Sequence, residues 1–218
     1  EYVRALLRDL PDDAVALATP VTAIDLRRRV ATTPRGDVGY GRLVSSAPLP
    51  ALLGLCGLPV EPGVFTGNRV LVWNLGFDRK GPTGVHWMYF PDPARSFYRV
   101  GWYDNIMGGD RMSLYVELGL PDDGAPVDPL ALRDRVLADL RAEGIVTDHQ
   151  LVASHTVTMT PAYAHITQRS IAAVASARKT LEAAGVYSVG RYGGWTYCSI
   201  EDNLLETQAL AAALGPLL

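Results

Sequence analysis

The feature that most constrains this chain is the segment that runs from Gly190 to its end. A Gly-Arg-Tyr-Gly-Gly-Trp-Thr-Tyr-Cys run at 190–198 is followed by an apolar pattern that predicts a helix from Ser199 to Leu218. Ser199 with Asp202 is a variant of the capping box, which normally carries Glu or Gln at the second position. A helix start leaves backbone N–H groups without partners and carries about half a positive charge. Gly193 and Gly194 remove side-chain bulk where a large group could approach the backbone. The segment therefore predicts a binding site for an electron-rich group.

Composition excludes several other classes of protein. The 218 residues suffice for one large or two small domains, and 48% hydrophobic with 20% charged residues is ordinary for a globular protein with a sizeable core. A net charge of −3 does not favour nucleic acid as a partner. Cys56 and Cys198 define neither a disulfide framework nor a metal site, and the default compartment is a reducing cytoplasm. No apolar stretch reaches the roughly 18 residues that a transmembrane segment needs.

The elements predicted along the chain are of both kinds. Short strands are expected at 15–18 and 21–26, a hairpin over 30–40, a buried strand at 43–47 and a helix that begins at Pro50. Aromatic and β-branched residues then predict four strands separated by turns, which is typical of an antiparallel sheet. These strands are Val70–Phe77, Val85–Phe90, Phe97–Tyr103 and Met112–Leu118.

The second half of the chain adds two amphipathic helices. Asp128 and Pro129 form an N-cap and first-turn proline, and Gly144 ends that helix. A strand is expected over 149–160, a helix over 168–184, and a short strand at 186–189 that leads into Gly190. The residues predicted to face inward are Leu130, Val136, Leu137 and Leu140 on the first helix, and Ile171, Val174 and Leu181 on the second. Periodicity alone thus predicts a mixed α and β protein.

The C-terminal run also resembles a known motif. Gly-Arg-Tyr-Gly-x-Trp-x-Tyr, followed by Ser-Ile-Glu-Asp-Asn and a helix, resembles the flavin motif of the FAD-dependent amine oxidase superfamily. Protoporphyrinogen oxidase-like proteins and UDP-galactopyranose mutases belong to it. Residues 21–25 and 43–50 resemble the strand and proline-containing turn that close the FAD domain, and 86–91 and 97–101 resemble substrate-domain strands. The resemblance therefore spans nearly the whole chain.

The resemblance implies an α/β (mixed α+β) fold with a discontinuous FAD-binding domain. The remaining elements of this Rossmann-type, NAD(P)-binding-like domain would be 1–57 and 186–218, with an inserted antiparallel-sheet-and-helix substrate domain at 58–185. The Gly-x-Gly-x-x-Gly fingerprint of the dinucleotide-binding βαβ unit does not occur, because the run from Gly36 to Gly41 has the wrong spacing and precedes a strand. The chain begins inside an apparent helix. We therefore expect the C-terminal half of a larger flavoprotein.

The resemblance also implies which residues meet the cofactor. The start of the last helix, at Ser199 and Ile200, would point at the pyrimidine edge of FAD and stabilise negative charge there by about 0.3–2 kcal/mol. Asp202 and Asn203 would either reach cofactor oxygens or serve as caps, and Trp195 would either wall the flavin or pack in the core. The full set predicted to bind FAD is Val21, Ser46, Pro48, Gly190, Arg191, Gly194, Trp195, Ser199, Ile200 and Asp202.

Substrate-binding residues follow from chemistry and strand alternation. Arg191 could bind a phosphate or carboxylate through two hydrogen bonds, or form a surface salt bridge. Tyr197 would lie beside flavin or substrate. Alternation places His86 and Met88 on one face of a strand, and Trp87 and Tyr89 on the other, so that one face lines a pocket or packs in the core. His86, Tyr89, Tyr197 and Arg191 are the predicted substrate-binding residues; no catalytic or metal-binding residue can be named.

Three functions remain open at this stage. The chain could be part of an FAD-dependent oxidoreductase that acts on a small organic substrate. It could instead resemble the sugar-nucleotide mutases, whose flavin chemistry involves no net redox change. It could also be a non-catalytic split or degenerate subunit that binds a partner carrying the dinucleotide-binding half.

Overall fold

The computed structural model describes residues 2–11, 13–121 and 124–215. The chain forms two compact units, which we call the first unit (Glu1–Phe65 with Ile166–Leu218) and the second unit (Thr66–His165). The second unit is thus inserted between the two parts of the first. The helix that follows His165 belongs to the first unit, and a division into cofactor and substrate domains at 57/58 and 185/186 stays a prediction.

The secondary structure contains both helices and strands in alternation. In chain order the elements are α1 (Tyr2–Leu7), β1 (Ala23–Asp25), β2 (Val30–Thr33), β3 (Gly36–Gly39), β4 (Leu43–Ser45), α2 (Leu49–Leu55), β5 (Gly67–Phe77), β6 (Trp87–Tyr89), β7 (Arg99–Trp102), α3 (Tyr103–Met107), β8 (Ser113–Leu120), α4 (Pro129–Ala142), β9 (Leu151–Ala164), α5 (Gln168–Ala183), β10 (Val186–Ser188), α6 (Gly190–Gly193) and α7 (Ile200–Leu214). The predicted mixed α/β class is correct. Residues 216–218 of the predicted last helix lie outside the described residues.

The first unit contains two small sheets. Strands β1, β2 and β3 form an antiparallel sheet, and β4 pairs in parallel with β10. A compact core of Leu49, Leu52 and Leu53 from α2, Leu181 from α5 and Val186 from β10 packs against the sheets. Parallel pairing of β4 with β10 makes both strands end at the same edge, and that edge positions the candidate site.

The second unit is built on one five-stranded sheet. Its strand order is β6-β7-β8-β5-β9, and every neighbouring pair is antiparallel, as predicted. Alternate residues of β5, such as Leu71, Trp73 and Leu75, enter a core that α4 completes with Val136 and Leu140. The sheet therefore buries one face under α4, and its other face carries Arg99, Tyr115 and Glu117.

Several local predictions were wrong. Residues 15–18 form no strand, Tyr103 starts the short helix α3, and the glycine-rich run at 190–193 forms the helical turn α6. Leu130 and Ile171 were predicted to face inward but are 64% and 51% exposed. An apolar stripe on a helix shows which side faces the core, but not how far along the helix the core extends. Ile171 lines a surface cleft beside Trp195. Among the described residues, no helix combines the length and apolarity that crossing a bilayer requires.

Candidate functional site

A cleft lies at the carboxyl ends of the two parallel strands of the first unit. The last paired residues are Ser45 of β4 and Ser188 of β10, and the amide of Val189 donates to the carbonyl of Ser45 at 2.9 Å. Ligands bind preferentially where parallel strands end, because the chain leaves the sheet there and opens a crevice. The cleft has a volume of about 600 Å³ and is lined by Ser46, Val189, Gly190, Arg191, Tyr192, Cys198, Ser199, Ile200, Asn203 and Thr207.

The start of α7 forms one side of this cleft. The Ser199 hydroxyl accepts from the Asp202 amide at 3.1 Å, and the Asp202 carboxylate accepts from the Ser199 amide at 2.7 Å. The predicted capping-box variant is therefore present. The hydrogen bond from the Ser199 amide, assisted by its hydroxyl, lowers the pKa of Asp202 below its usual value. Asp202 lines a neighbouring cleft of about 520 Å³ rather than the one at the strand ends, so its observed role is that of a cap.

The glycines of α6 are required by the protein itself. A Cβ atom on Gly193 would lie 2.9 Å from the Ser188 hydroxyl oxygen, and one on Gly194 would lie 2.9 Å from the Gly190 carbonyl oxygen. Gly190 has a φ of +80°, which side chains rarely tolerate, and its amide donates to the Glu206 carboxylate at 2.7 Å. Gly193 allows the turn to pack closely on Ser45 and Ser188 at the ends of β4 and β10, and Gly194 allows it to close on Gly190. That Gly193 and Gly194 also leave room for a ligand stays a prediction.

Arg191 organises the loop that connects α6 to α7. Its Nε and Nη2 atoms donate to the Cys198 carbonyl at 3.2 and 2.6 Å, and its guanidinium lies 4.8 Å from the centroid of the Tyr197 ring. The Tyr197 side chain is largely exposed. The paired donors expected for a phosphate or carboxylate are therefore directed at a backbone oxygen in this structure. An additional role of Arg191 toward an anionic ligand stays a prediction.

The remaining predicted cofactor residues are dispersed. Trp195 is 4% exposed and packs edge-to-face on Phe65 with ring centroids 5.4 Å apart, so that it belongs to the protein interior. Val21 precedes β1 and Pro48 is the N-cap residue of α2; neither lines the cleft. The predicted residues that the structure does bring together there are Ser46, Gly190, Arg191, Ser199 and Ile200.

Other residues of the cleft had not been predicted to bind a ligand. Val189 and Tyr192 flank Gly190 and Arg191, and Thr207 lies one turn beyond Asn203 on α7. Ile200, Asn203 and Thr207 are spaced three and four residues apart, which places them on one face of a helix. That spacing was visible in the sequence and could have extended the prediction from the helix start to Thr207.

In the second unit, the two predicted substrate-binding residues are Tyr89, the last residue of β6, and His86, which lies just before that strand. Strand β6 pairs Trp87 with Gly101 and Tyr89 with Arg99, so the predicted common face of Trp87 and Tyr89 is confirmed. The Tyr89 hydroxyl accepts from Arg99 Nη1 at 3.2 Å. His86 precedes this strand and its carbonyl accepts from the Trp102 amide. Within the described residues, no group of three or more His, Cys, Asp or Glu side chains is arranged to hold a metal ion.

The fold of this chain matches parts of several solved structures. No protein-family model and no curated protein matches the sequence. The fold matches that of reduced UDP-galactopyranose mutase with a TM-score of 0.78 and 21% identity, over 89% of this chain and 46% of that one. It matches a protoporphyrinogen oxidase-like protein from Exiguobacterium sp. 255-15 with a TM-score of 0.71 and 16% identity, over 88% and 45%. An oxidoreductase from Methanosarcina mazei matches with a TM-score of 0.58 and 14% identity, over 88% and 48%.

These structures share one fold class. The chain has the mixed α/β fold of part of each of these solved structures, the fold that the resemblance of the segment at 190–203 predicted. It spans somewhat less than half the length of the solved structures that it matches.

Proposed function

We propose that this chain is the cofactor-facing C-terminal portion of an FAD-dependent oxidoreductase that acts on a small organic substrate. The observation that carries the proposal is the cleft where β4, β10 and the start of α7 meet. The segment at 190–203, which resembles a flavin-binding motif, lies along its wall. FAD would supply the hydride or electron-pair chemistry, and the protein would bind and orient it.

The residues of the cleft suit part of a flavin nucleotide. Its volume of about 600 Å³ is in the usual range for a small-molecule site. The Ser46 hydroxyl can donate or accept a hydrogen bond, and the Thr207 hydroxyl, which donates to the Asn203 carbonyl, can still accept one. The side-chain NH2 of Asn203 can donate, and the backbone amides of Ile200 and Glu201 have no intrahelical acceptor. These groups would hold the cofactor, together with the helix start, which favours negative charge. The Glu201 and Asp202 carboxylates in the first turn oppose that preference.

A mutase-type activity is a variant of this proposal. It is supported by the likeness to reduced UDP-galactopyranose mutase over 89% of the chain, which concerns the fold. In that case the reduced flavoprotein would interconvert isomers with no net consumption of an electron acceptor. Substrate turnover without acceptor would favour the mutase, and strict dependence on acceptor would favour the oxidoreductase.

A split or degenerate subunit is the second candidate. It is supported by the Glu201 and Asp202 carboxylates in the first turn of α7, because they repel the negative charge of a flavin nucleotide at the helix start. Such a subunit would keep the fold but would bind FAD only with a partner that contributes the other half, or would not bind it at all.

Titration of the purified chain with FAD tests the proposal. We expect changes in amide NMR chemical shifts at Gly190, Ile200, Asn203 and Thr207, together with perturbed visible absorbance of the flavin. Thr207→Trp places an indole in the cleft and should weaken FAD binding by about tenfold or more. Gln208→Trp is the matched control, because Gln208 is the next exposed residue of α7 and does not line the cleft.

The outcomes separate the candidates. Equal FAD affinity in Thr207→Trp and Gln208→Trp would refute this location of the site. A chain that shifts no amide at saturating FAD would support the split-subunit candidate in place of the oxidoreductase.

A further inference from the structure

The second unit carries a cleft of its own on the face of the sheet opposite the α4 core. Successive side chains of a strand point to opposite faces of the sheet. Those that enter the buried core from β7 and β8 are Val100, Trp102, Leu114 and Val116. The residues between them face the other way and surround a cleft of about 370 Å³. Among the lining residues are Asn74, Arg99, Tyr103, Tyr115 and Glu117.

A glycine creates the floor of this cleft. Gly101 of β7 is the direct cross-strand partner of Tyr115 of β8. A Cβ atom at Gly101 would lie 2.0 Å from the Tyr115 ring, so the ring lies across β7 in space that only glycine leaves open. The Tyr103 ring packs beside it with centroids 5.0 Å apart and an interplanar angle of 48°. The result is an aromatic surface held in place by the sheet register.

The charges of this cleft cancel within the protein. Arg99 hydrogen-bonds the Glu117 carboxylate, which is 5% exposed and also accepts from the Tyr98 hydroxyl at 2.5 Å. The same guanidinium donates to the Tyr163 hydroxyl at 3.1 Å and lies 5.9 Å from the centroid of the Tyr115 ring. Burial raises the pKa of Tyr115, so its hydroxyl stays neutral at physiological pH. The wall therefore combines polar, aromatic and aliphatic side chains, the last from Val72, Val157 and Met159, and has no net charge.

This arrangement discriminates between ligand charges. A cation would approach the Arg99 guanidinium, and an anion would have to compete with Glu117 for it. Either ion would also lose hydration in a partly buried site, a cost that no unpaired counter-charge offsets. An uncharged planar ring avoids these costs, stacks on Tyr115, and can exchange hydrogen bonds with Asn74 and the tyrosine hydroxyls.

We propose that this cleft binds an uncharged planar ring that carries hydrogen-bonding substituents. The site consists of residues of the second unit alone and does not depend on FAD. A failure of this proposal would leave the FAD proposal standing, and the reverse also holds.

Three nearly isosteric probes test the charge preference: neutral benzamide, anionic benzoate and cationic benzamidine. Each is titrated into the full chain without FAD, and amide chemical shifts are followed. We expect benzamide to shift the amides of Gly101 and Tyr115 and to bind at least about tenfold more tightly than either ion. Equal or tighter binding of an ion would overturn the proposal, as would benzamide shifts confined to other regions or no benzamide binding.

Variants locate the binding. Gly101→Ala must displace the Tyr115 ring and should abolish benzamide binding, whereas Gly119→Ala on β8 meets no atom within 4 Å and should bind as the unmodified chain does. Tyr115→Leu removes the floor without adding bulk and should also abolish binding, which covers the case in which Gly101→Ala misfolds. Glu117→Gln leaves the Arg99 charge unbalanced and should reverse the preference toward benzoate. Unchanged benzamide binding in Tyr115→Leu, or an unchanged probe preference in Glu117→Gln, would contradict the assignment.

Discussion

The candidate sites of the two units use different parts of the chain. In the first unit the cleft is made by backbone: two parallel strands end there, a glycine turn packs tightly behind them, and α7 begins at its rim. In the second unit the cleft is made by side chains, chiefly Arg99, Tyr115 and Glu117, which project from neighbouring antiparallel strands. The first offers hydrogen-bonding groups at an open crevice, and the second offers an aromatic surface with balanced charges.

This difference has consequences for sequence interpretation. A site made by backbone leaves a local signature, because glycines, caps and strand ends are close in sequence. A site made by side chains on paired strands depends on register, which joins residues distant in sequence such as Gly101 and Tyr115. The following predictions test whether the two units and their sites behave independently.

The largest expected effect concerns the core of the second unit. Trp73 is 2% exposed in that core, and Trp73→Ala should reduce the free energy of unfolding by about 3–5 kcal/mol. Hydrogen exchange should show the loss of protection in the second unit and little change in the first. Trp87→Ala is the matched control, because Trp87 is 56% exposed and its loss should change stability by roughly 0.5 kcal/mol or less. Equal loss of protection in both units would mean that they unfold as one.

A smaller effect is expected at the start of α7. Ser199→Ala removes the capping hydroxyl and should destabilise the helix by about 0.5–2 kcal/mol. Amide exchange should accelerate over Ile200–Glu206 while the second unit is unchanged. Gln208→Ala, on the exposed surface of the same helix, should leave exchange at the helix start unaltered. Normal exchange in Ser199→Ala would show that the cap contributes little to the rim of the cleft.

The smallest effect is a pH dependence. Burial, followed by the hydrogen bond to Glu117, raises the pKa of Tyr98, and burial also raises the pKa values of Tyr103 and Tyr115. The folded form then holds these protons more tightly than the unfolded form. The resulting stabilisation is complete below the ordinary tyrosine pKa of about 10 and is lost as the pH rises through the folded values.

Urea unfolding measured across roughly pH 9 to 11 should therefore show declining stability of the second unit. Tyr98→Phe should make that decline shallower. Tyr40 in the first unit also has a pKa raised by burial, so Tyr40→Phe provides the matched comparison and should affect only the first unit. An identical slope with and without Tyr98 would show that this hydroxyl does not contribute.

The motif of the last helix was the most informative local pattern, since its capping box and its cleft both occur where the sequence placed them. For individual side chains the sequence left alternatives open, and their roles toward a ligand stay predictions. Trp195 proved to be buried, Asp202 caps the helix, and Arg191 binds the Cys198 carbonyl. Composition and periodicity cannot distinguish such internal partners from a ligand, because the same donors and acceptors satisfy either.

The sequence by itself determined the mixed α/β class, the antiparallel character of the middle strands, the start of α7 and the compact motif at 190–203 from which the fold was predicted. These properties follow from short-range patterns: alternation, caps, turn residues and a compact motif. Only the tertiary structure decided where the two units divide, that β4 and β10 pair in parallel, and that Tyr115 lies over Gly101. The physical reason is that these properties depend on which distant segments meet, and packing and register across the whole chain select those partners.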